Sequence, residues 1–196
     1  MRILAIGDTH IPDRASRVPP LLLDLINRGS WDIVVFTGDL TGREVLEWVK
    51  RLAGSVYVVR GNMDYLPLPK TAVFDAGLFK LGVHHGDRVY PRGDIRQLTE
   101  IAVRLGVSVL FSGHTHSPFV EVDSTGRYLH INPGSLTGVW GGGDASMIPS
   151  MADVEVSGQV ICVRLYELRN GGVRETSKCF SYEGGVFRYC QTSKPL

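Results

Sequence analysis

Between Arg2 and Arg60 the chain alternates short apolar runs with amphipathic stretches, and this alternation constrains the fold more than any other feature. Arg2 to Gly7, Ile33 to Thr37 and Ser55 to Arg60 read as strands; the first two are apolar at almost every position, as strands buried on both faces must be. Pro19 and Pro20, followed by Leu21, Leu22, Leu25 and Ile26, read as a helix that Gly29 terminates, and Arg43 to Ala53 as a second that Gly54 closes. Strands joined through helices run parallel, so an α/β fold with a largely parallel sheet is predicted.

Further along, Thr71 to Asp75 and Phe79 to His85 flank Ala76-Gly77 as a hairpin, Asp94 caps a helix running to Leu105 before Gly106, and Val107 to Ser112 is an apolar strand. The remainder is β-rich: Phe119 to Asp123, Arg127 to Ile131, Ala152 to Val156 and Val160 to Leu168 read as strands between Gly-containing turns. The loop from Gly138 to Ser150, with Gly141-Gly142-Gly143 at its middle, is expected to move. Trp140, Met147 and Ile148 have no periodic element to bury them there, which marks the loop as a docking surface for a protein partner or a second copy. At 196 residues the chain suits one domain with an appendage, assigned as residues 1–170 and a C-terminal extension, hairpin or tail, over 171–196.

Composition excludes several functions. With 43% hydrophobic and 21% charged residues the chain fills a core, and a net charge of +1 gives no signal for a nucleic-acid or anionic-lipid surface. No secretory leader or membrane-spanning run is evident, so a cytoplasmic protein with no membrane contact is expected. Cys162, Cys179 and Cys190 are odd in number and widely spaced, which predicts reduced thiols rather than a disulfide framework or a thiolate metal site.

Residues able to bind a cation fall at or just after the ends of successive strands: Asp8 and His10, Asp39, Asn62, His85, and His114 with His116. Any one of these is ordinary; an Asp beside a Gly forms turns and a lone His is usually a hydrogen-bonded core residue. In an open α/β sheet, however, the carboxyl ends of the strands form the ligand edge, so these seven side chains can converge across positions 8 to 116. Carboxylate, amide and imidazole donors without thiolate suit Mn²⁺, Fe, Ni²⁺ or Zn²⁺. Seven donors exceed one tetrahedral site and suit two divalent ions clamping a displacement at phosphorus.

The set Gly7-Asp8-Thr9-His10, Gly38-Asp39, Gly61-Asn62, His85-Gly86 and Gly113-His114-Thr115-His116 resembles the pattern of the calcineurin-like metallophosphoesterases. The resemblance extends over about residues 1 to 168. It is nearest to a small single-domain branch that includes phosphodiesterases and the metallophosphoesterase-like subunit of retromer, with Ile131-Asn132-Pro133-Gly134-Ser135 among the shared segments. It implies a four-layer α-β-β-α sandwich. It also implies a first ion on Asp8, His10 and His116, a second on Asn62, His85 and His114, and Asp39 between them. A metal-bridging hydroxide would attack a small phosphodiester, Asn62 and His114 would be catalytic, and Mn²⁺ would be the favoured metal. The alternative is a retromer-like scaffold on the same fold. A C-N amidohydrolase is disfavoured, because its first strand delivers His-x-His where this chain has Asp8-Thr9-His10.

One position departs from the pattern. Many phosphomonoesterases of the family have a His after the Asn to protonate the leaving oxygen, and Met63 stands there here. That shifts the expected substrate toward diesters or good leaving groups. Asp64 is open to two readings, a substitute acid or a turn former, the second preferred. His84 faces away from His85 on its strand and is read as packed or surface, His130 as structural, and Ser135 as part of a turn walling the site.

Overall fold

A computed structural model describes residues 1–190; residues 191–196, the end of the C-terminal extension, lie outside the described residues. Twelve strands and three helices follow in the order β1 (Arg2–Ile6), α1 (Pro20–Arg28), β2 (Ile33–Phe36), α2 (Arg43–Val49), β3 (Ser55–Val58), β4 (Thr71–Ala76), β5 (Phe79–His84), α3 (Ile95–Leu105), β6 (Val109–Phe111), β7 (Phe119–Val122), β8 (Leu129–Asn132), β9 (Ser150–Ser157), β10 (Val160–Arg169), β11 (Gly172–Glu183) and β12 (Val186–Cys190). They form a seven-stranded sheet, β12-β11-β10-β9-β1-β2-β3, and a five-stranded sheet, β4-β5-β6-β8-β7.

The unbroken apolar runs of β1 and β2 are explained by their two covered faces. Ile3, Ala5, Ile33 and Val35 point into a core shared with Leu81, Phe111 and Ile131 of the other sheet. Leu4, Ile6, Val34 and Phe36 point the opposite way, onto Leu22 and Ile26 of α1 and Val45 and Val49 of α2. α3 covers the outer face of the smaller sheet through Leu98, Ile101 and Ala102 against Leu110. Its ends are as expected: the Asp94 side chain accepts from the Gln97 N–H at 2.8 Å, and Gly106 closes it with φ 66°. Helices, sheet, sheet and helix make the four-layer α-β-β-α sandwich that the resemblance implied.

Three expectations need correction. The sheets are mixed rather than largely parallel: β1, β2 and β3 run parallel, but β9 inserts antiparallel beside β1 and carries β10 to β12 with it. α2 ends at Val49, and the chain reaches Gly54 through tight turns that the helical pattern concealed. Cys162 and Cys179 are joined in a disulfide, not reduced, because the β10–β11 register sets them directly opposite, 4.1 Å apart between Cα atoms. Cys190 is the free thiol. The described part of the extension continues the larger sheet as β11 and β12. Among the described residues no helix is long and apolar enough to cross a membrane.

Candidate metal centre

All seven candidate residues stand at or just after strand ends at one edge of the two sheets: Asp8 and His10 after β1, Asp39 after β2, Asn62 after β3, His85 after β5, His114 and His116 after β6. The turns that deliver them are unusual. Asp8, His10, Asp39, His114 and His116 have φ of 48°, 46°, 56°, 68° and 55°, in the left-handed region that non-glycine residues rarely enter. These values clustering in one place are themselves a sign of a functional site. Gly113 must lack a side chain, since a Cβ there would lie 2.8 Å from Asp8 Oδ2.

Donor atoms of Asp8, His10, Asp39 and His116 lie within 4.8 Å of one another, all buried. His10 Nε2 is 3.1 Å from His116 Nε2, and His116 Nε2 is 3.3 Å from Asp8 Oδ1. Asp39 Oδ2 joins this group to a second, being 3.5 Å from His10 Nε2 and 3.4 Å from His85 Nε2. His85 Nε2 is 3.2 Å from Asn62 Oδ1, and the His85 and His114 ring centroids are 5.2 Å apart. The structure therefore brings all seven together, with Asp39 at the junction.

Backbone carbonyls aim the imidazoles. His85 Nδ1 donates to the Thr37 carbonyl at 2.8 Å and His116 Nδ1 to the Val139 carbonyl at 2.7 Å, so each turns Nε2 inward. Burial works against the charged form of His85, but the bonded Asp39 carboxylate and nearby Asp8 outweigh it and raise its pKa to about 9. Burial likewise opposes ionisation of Asp39, yet His85 and the Met63 N–H hold its pKa at about 2. His114 is pushed down to about 4, first by burial and then by charged His85 and Arg92. These residues fit a cation: the Nε2 atoms of His10 and His116 face each other at 3.1 Å with the Asp8 and Asp39 carboxylates beside them, an arrangement that calls for a shared proton or metal.

Behind the donors stand positioning groups. Asp64 is only 3% exposed. Its carboxylate accepts from the backbone N–H of Asp39 (2.9 Å), Thr41 (2.9 Å) and Gly61 (2.8 Å), clamping the loops after β2 and β3 together. Of the two readings left open, the turn-forming one matches this geometry. Ser135 Oγ donates to the Asp8 carbonyl at 2.7 Å, and Asn132 Nδ2 to the Gly113 carbonyl at 3.0 Å. His84 and His130 lie apart from the donor cluster: His84 Nδ1 accepts from the Gly86 N–H at 2.9 Å, and His130 Nε2 meets Thr99 Oγ1 at 2.9 Å. The 138–150 loop borders the site, through Val139 on His116 and Arg14 Nη1 donating to the Trp140 carbonyl at 2.9 Å. Trp140 is 60% and Met147 55% exposed, while Ile148 is half-buried. Thr37 and Val139 escaped the sequence reading, because a carbonyl that orients a ring leaves no trace in residue type; Arg14, which acts through its guanidinium, stands in a polar loop without a motif.

A two-sheet sandwich with a buried Asp/His cluster at one edge defines a metal-binding hydrolase architecture, and comparison with known proteins agrees. Residues 1–157 match the calcineurin-like phosphoesterase superfamily domain. The chain belongs to that family. A "probable metallophosphoesterase" of Methanocaldococcus jannaschii is 44% identical over 137 residues, covering 70% of this chain and 69% of that protein. Among solved structures, vacuolar protein sorting 29 of Cryptosporidium parvum superposes with a TM-score of 0.86 at 29% identity, covering 92% of this chain and 97% of the other. Wild-type Vps29 of Entamoeba histolytica, in complex with Zn²⁺, superposes at 0.82 with 34% identity, covering 90% and 98%.

Proposed function

We propose that this protein is a two-metal phosphodiesterase of the cytoplasm, with a catalytic domain over residues 1–170 and an appended segment over 171–196. The observation that carries the reading is the place of Asp39, one carboxylate within 3.5 Å of His10 Nε2 and 3.4 Å of His85 Nε2. Asp8, His10 and His116 would hold one divalent ion and Asn62, His85 and His114 the other, with Asp39 shared; Mn²⁺ is the favoured metal. Bound there, the ions supply Lewis-acid charge and an activated water for displacement at phosphorus. That the Entamoeba relative was crystallised as a complex with Zn²⁺ supports a borderline divalent cation here.

The chain's own groups position the substrate. Asn62 turns Oδ1 toward His85, which leaves its amide N–H₂ free to donate to a phosphoryl oxygen. His114, kept neutral at pH 7 by its low pKa, can coordinate or donate without first losing a proton. Met63 gives only its backbone N–H, to Asp39 at 2.8 Å, and its thioether cannot protonate a leaving oxygen. A positioned acid is worth roughly a hundred- to ten-thousand-fold in rate, so esters with poor leaving groups suffer most. The disulfide bears on the cytoplasmic placement: such bonds are rare in mesophile cytosol and frequent inside hyperthermophiles.

The test is elemental analysis of the purified protein with turnover of bis(4-nitrophenyl) phosphate, 4-nitrophenyl phosphate and an alkyl monophosphate in added Mn²⁺. The aryl diester is expected to react fastest and the alkyl monoester slowest. Faster alkyl monoester hydrolysis refutes the diesterase reading, and no turnover with metal bound favours the second reading, a Vps29-like partner-binding protein. That reading draws on exposed Trp140 and Met147 beside the site.

A further inference from the structure

Lined in part by Asn62 lies a cavity of about 370 Å³ whose wall includes three cationic side chains, Arg60, Lys70 and Arg88. They come from three separate stretches: Arg60 follows β3, Lys70 precedes β4, and Arg88 follows β5. Asp87 is the single carboxylate in the wall, against three cations. The whole chain carries only +1. Three cations against one carboxylate thus stand where the Asn62 side of the centre opens outward.

These cations are not structural clamps. Arg2 and Arg164 both bind buried Asp153, and Arg92 and Arg14 tie the 138–150 loop to the centre by its carbonyls. By contrast, the side chains of Arg60, Lys70 and Arg88 make no ion pair or hydrogen bond with any described residue. Exposed and unpaired, the three side chains are free to turn toward an anion entering beside Asn62. A neutral ester substituent extending past Asn62 would leave them unused.

We infer that Arg60, Lys70 and Arg88 form a subsite for a second phosphate on the substrate. The preferred substrate is then a small phosphodiester whose substituent bears a further phosphate group. This rests on the phosphodiesterase reading above and specifies its substrate class. A small molecule rather than a nucleic-acid strand fits, because the chain's net charge is only +1, without the basic excess of a strand-binding surface.

The test has two arms. In the first, the 4-nitrophenyl ester of thymidine 5′-phosphate is compared with the same ester carrying a 3′-phosphate, using the metal-loaded protein. The bisphosphorylated ester should have kcat/KM at least about tenfold higher, and in Lys70→Ala/Arg88→Ala that ratio should fall to about one, since charge-assisted contacts to phosphate are lost. In the second, calorimetry on the metal-loaded protein measures binding of thymidine 3′,5′-bisphosphate, thymidine 5′-phosphate and an oligothymidylate. The bisphosphate should bind about tenfold tighter than the monophosphate, with added salt weakening it, and the double variant should lose the difference. The second arm needs no catalysis, so a protein inactive on both esters yet selective for the bisphosphate overturns the phosphodiesterase reading and keeps the anion subsite. Equal affinities for the two nucleotides overturn the subsite. An oligothymidylate binding about tenfold tighter than the bisphosphate overturns the small-molecule assignment in favour of a strand.

Discussion

Removing the Asp64 carboxylate should loosen the candidate centre from behind without touching a donor. Its two oxygens satisfy three buried backbone N–H groups, at 2.9, 2.9 and 2.8 Å, and Ala offers none of them a partner. A buried donor left without an acceptor costs about 1–3 kcal/mol, so three give roughly 3–9 kcal/mol before relaxation. Water entering the space left by the carboxylate recovers part of this, and about 3–5 kcal/mol is expected for Asp64→Ala, against a usual total of about 5–15 kcal/mol. Asp64→Asn keeps one acceptor oxygen but sets an N–H₂ against at least one N–H, and should lose about half as much. Guanidinium denaturation of the metal-free protein at pH 7, followed by Trp fluorescence, reads both values. A loss below about 1 kcal/mol in Asp64→Ala refutes the clamp. Were Asp64 instead a general acid, Asp64→Asn would remove the acid-dependent limb of the pH–rate profile and leave stability nearly intact, the opposite pattern.

Saturated protein should hold two divalent ions per chain by elemental analysis, and Asp39→Ala should weaken both sites; unchanged metal content in that variant would sink the shared-carboxylate assignment. Because Asp39 holds His85 protonated up to about 9, a proton competes with metal below that pH. Metal affinity should therefore rise with pH toward about 9, and calorimetry at pH 7 in buffers of different ionisation enthalpy should register proton release; enthalpies independent of buffer contradict it. Burial lowers the His130 pKa from 6.5 to about 4. The folded protein thus resists a proton that the unfolded chain accepts, and stability on the order of 3 kcal/mol is lost as pH falls through that window. His130→Gln should flatten this slope, and an unaltered slope would assign it to other groups. Reducing Cys162–Cys179, which closes a 17-residue separation, should lower stability by about 3 kcal/mol, and thiol counting under denaturing, non-reducing conditions should find one free thiol per chain rather than three.

The parts legible in the sequence were those written in local pattern. Pro19-Pro20, Asp94 and Gly106 marked helix ends that the structure keeps, and the gathering of the seven candidate residues was legible because each stands at or just after a strand end. What escaped depends on register and on backbone atoms. That β9 pairs with β1 is decided by how Val154 and Ala152 fill the space between the sheets, a tertiary choice absent from the strand's own alternation. Cys162 meets Cys179 only because the β10–β11 hairpin turns where it does, and a register shift of one residue would point them to opposite faces. Arg60, Lys70 and Arg88 sit in unremarkable polar loops, and only the sandwich gathers them around one cavity.

The left-handed turns explain why the centre needs so much support. Asp8, His10, Asp39, His114 and His116 each adopt a backbone conformation costing of order 1 kcal/mol for a residue with a Cβ, so about 5 kcal/mol of strain is gathered at one edge. That equals the lower end of the whole stability of a typical domain. Left to themselves, these loops would relax to ordinary turns and scatter their side chains. Asp64 grips the N–H of Asp39, Ser135 the carbonyl of Asp8 and Asn132 the carbonyl of Gly113, so three clamps fall on or beside the strained residues of three different loops. The sandwich core holds the strand ends still, and the clamps hold the turns. Donor atoms therefore stand within a few ångströms of one another before any cation arrives, and binding energy is not consumed in assembling them.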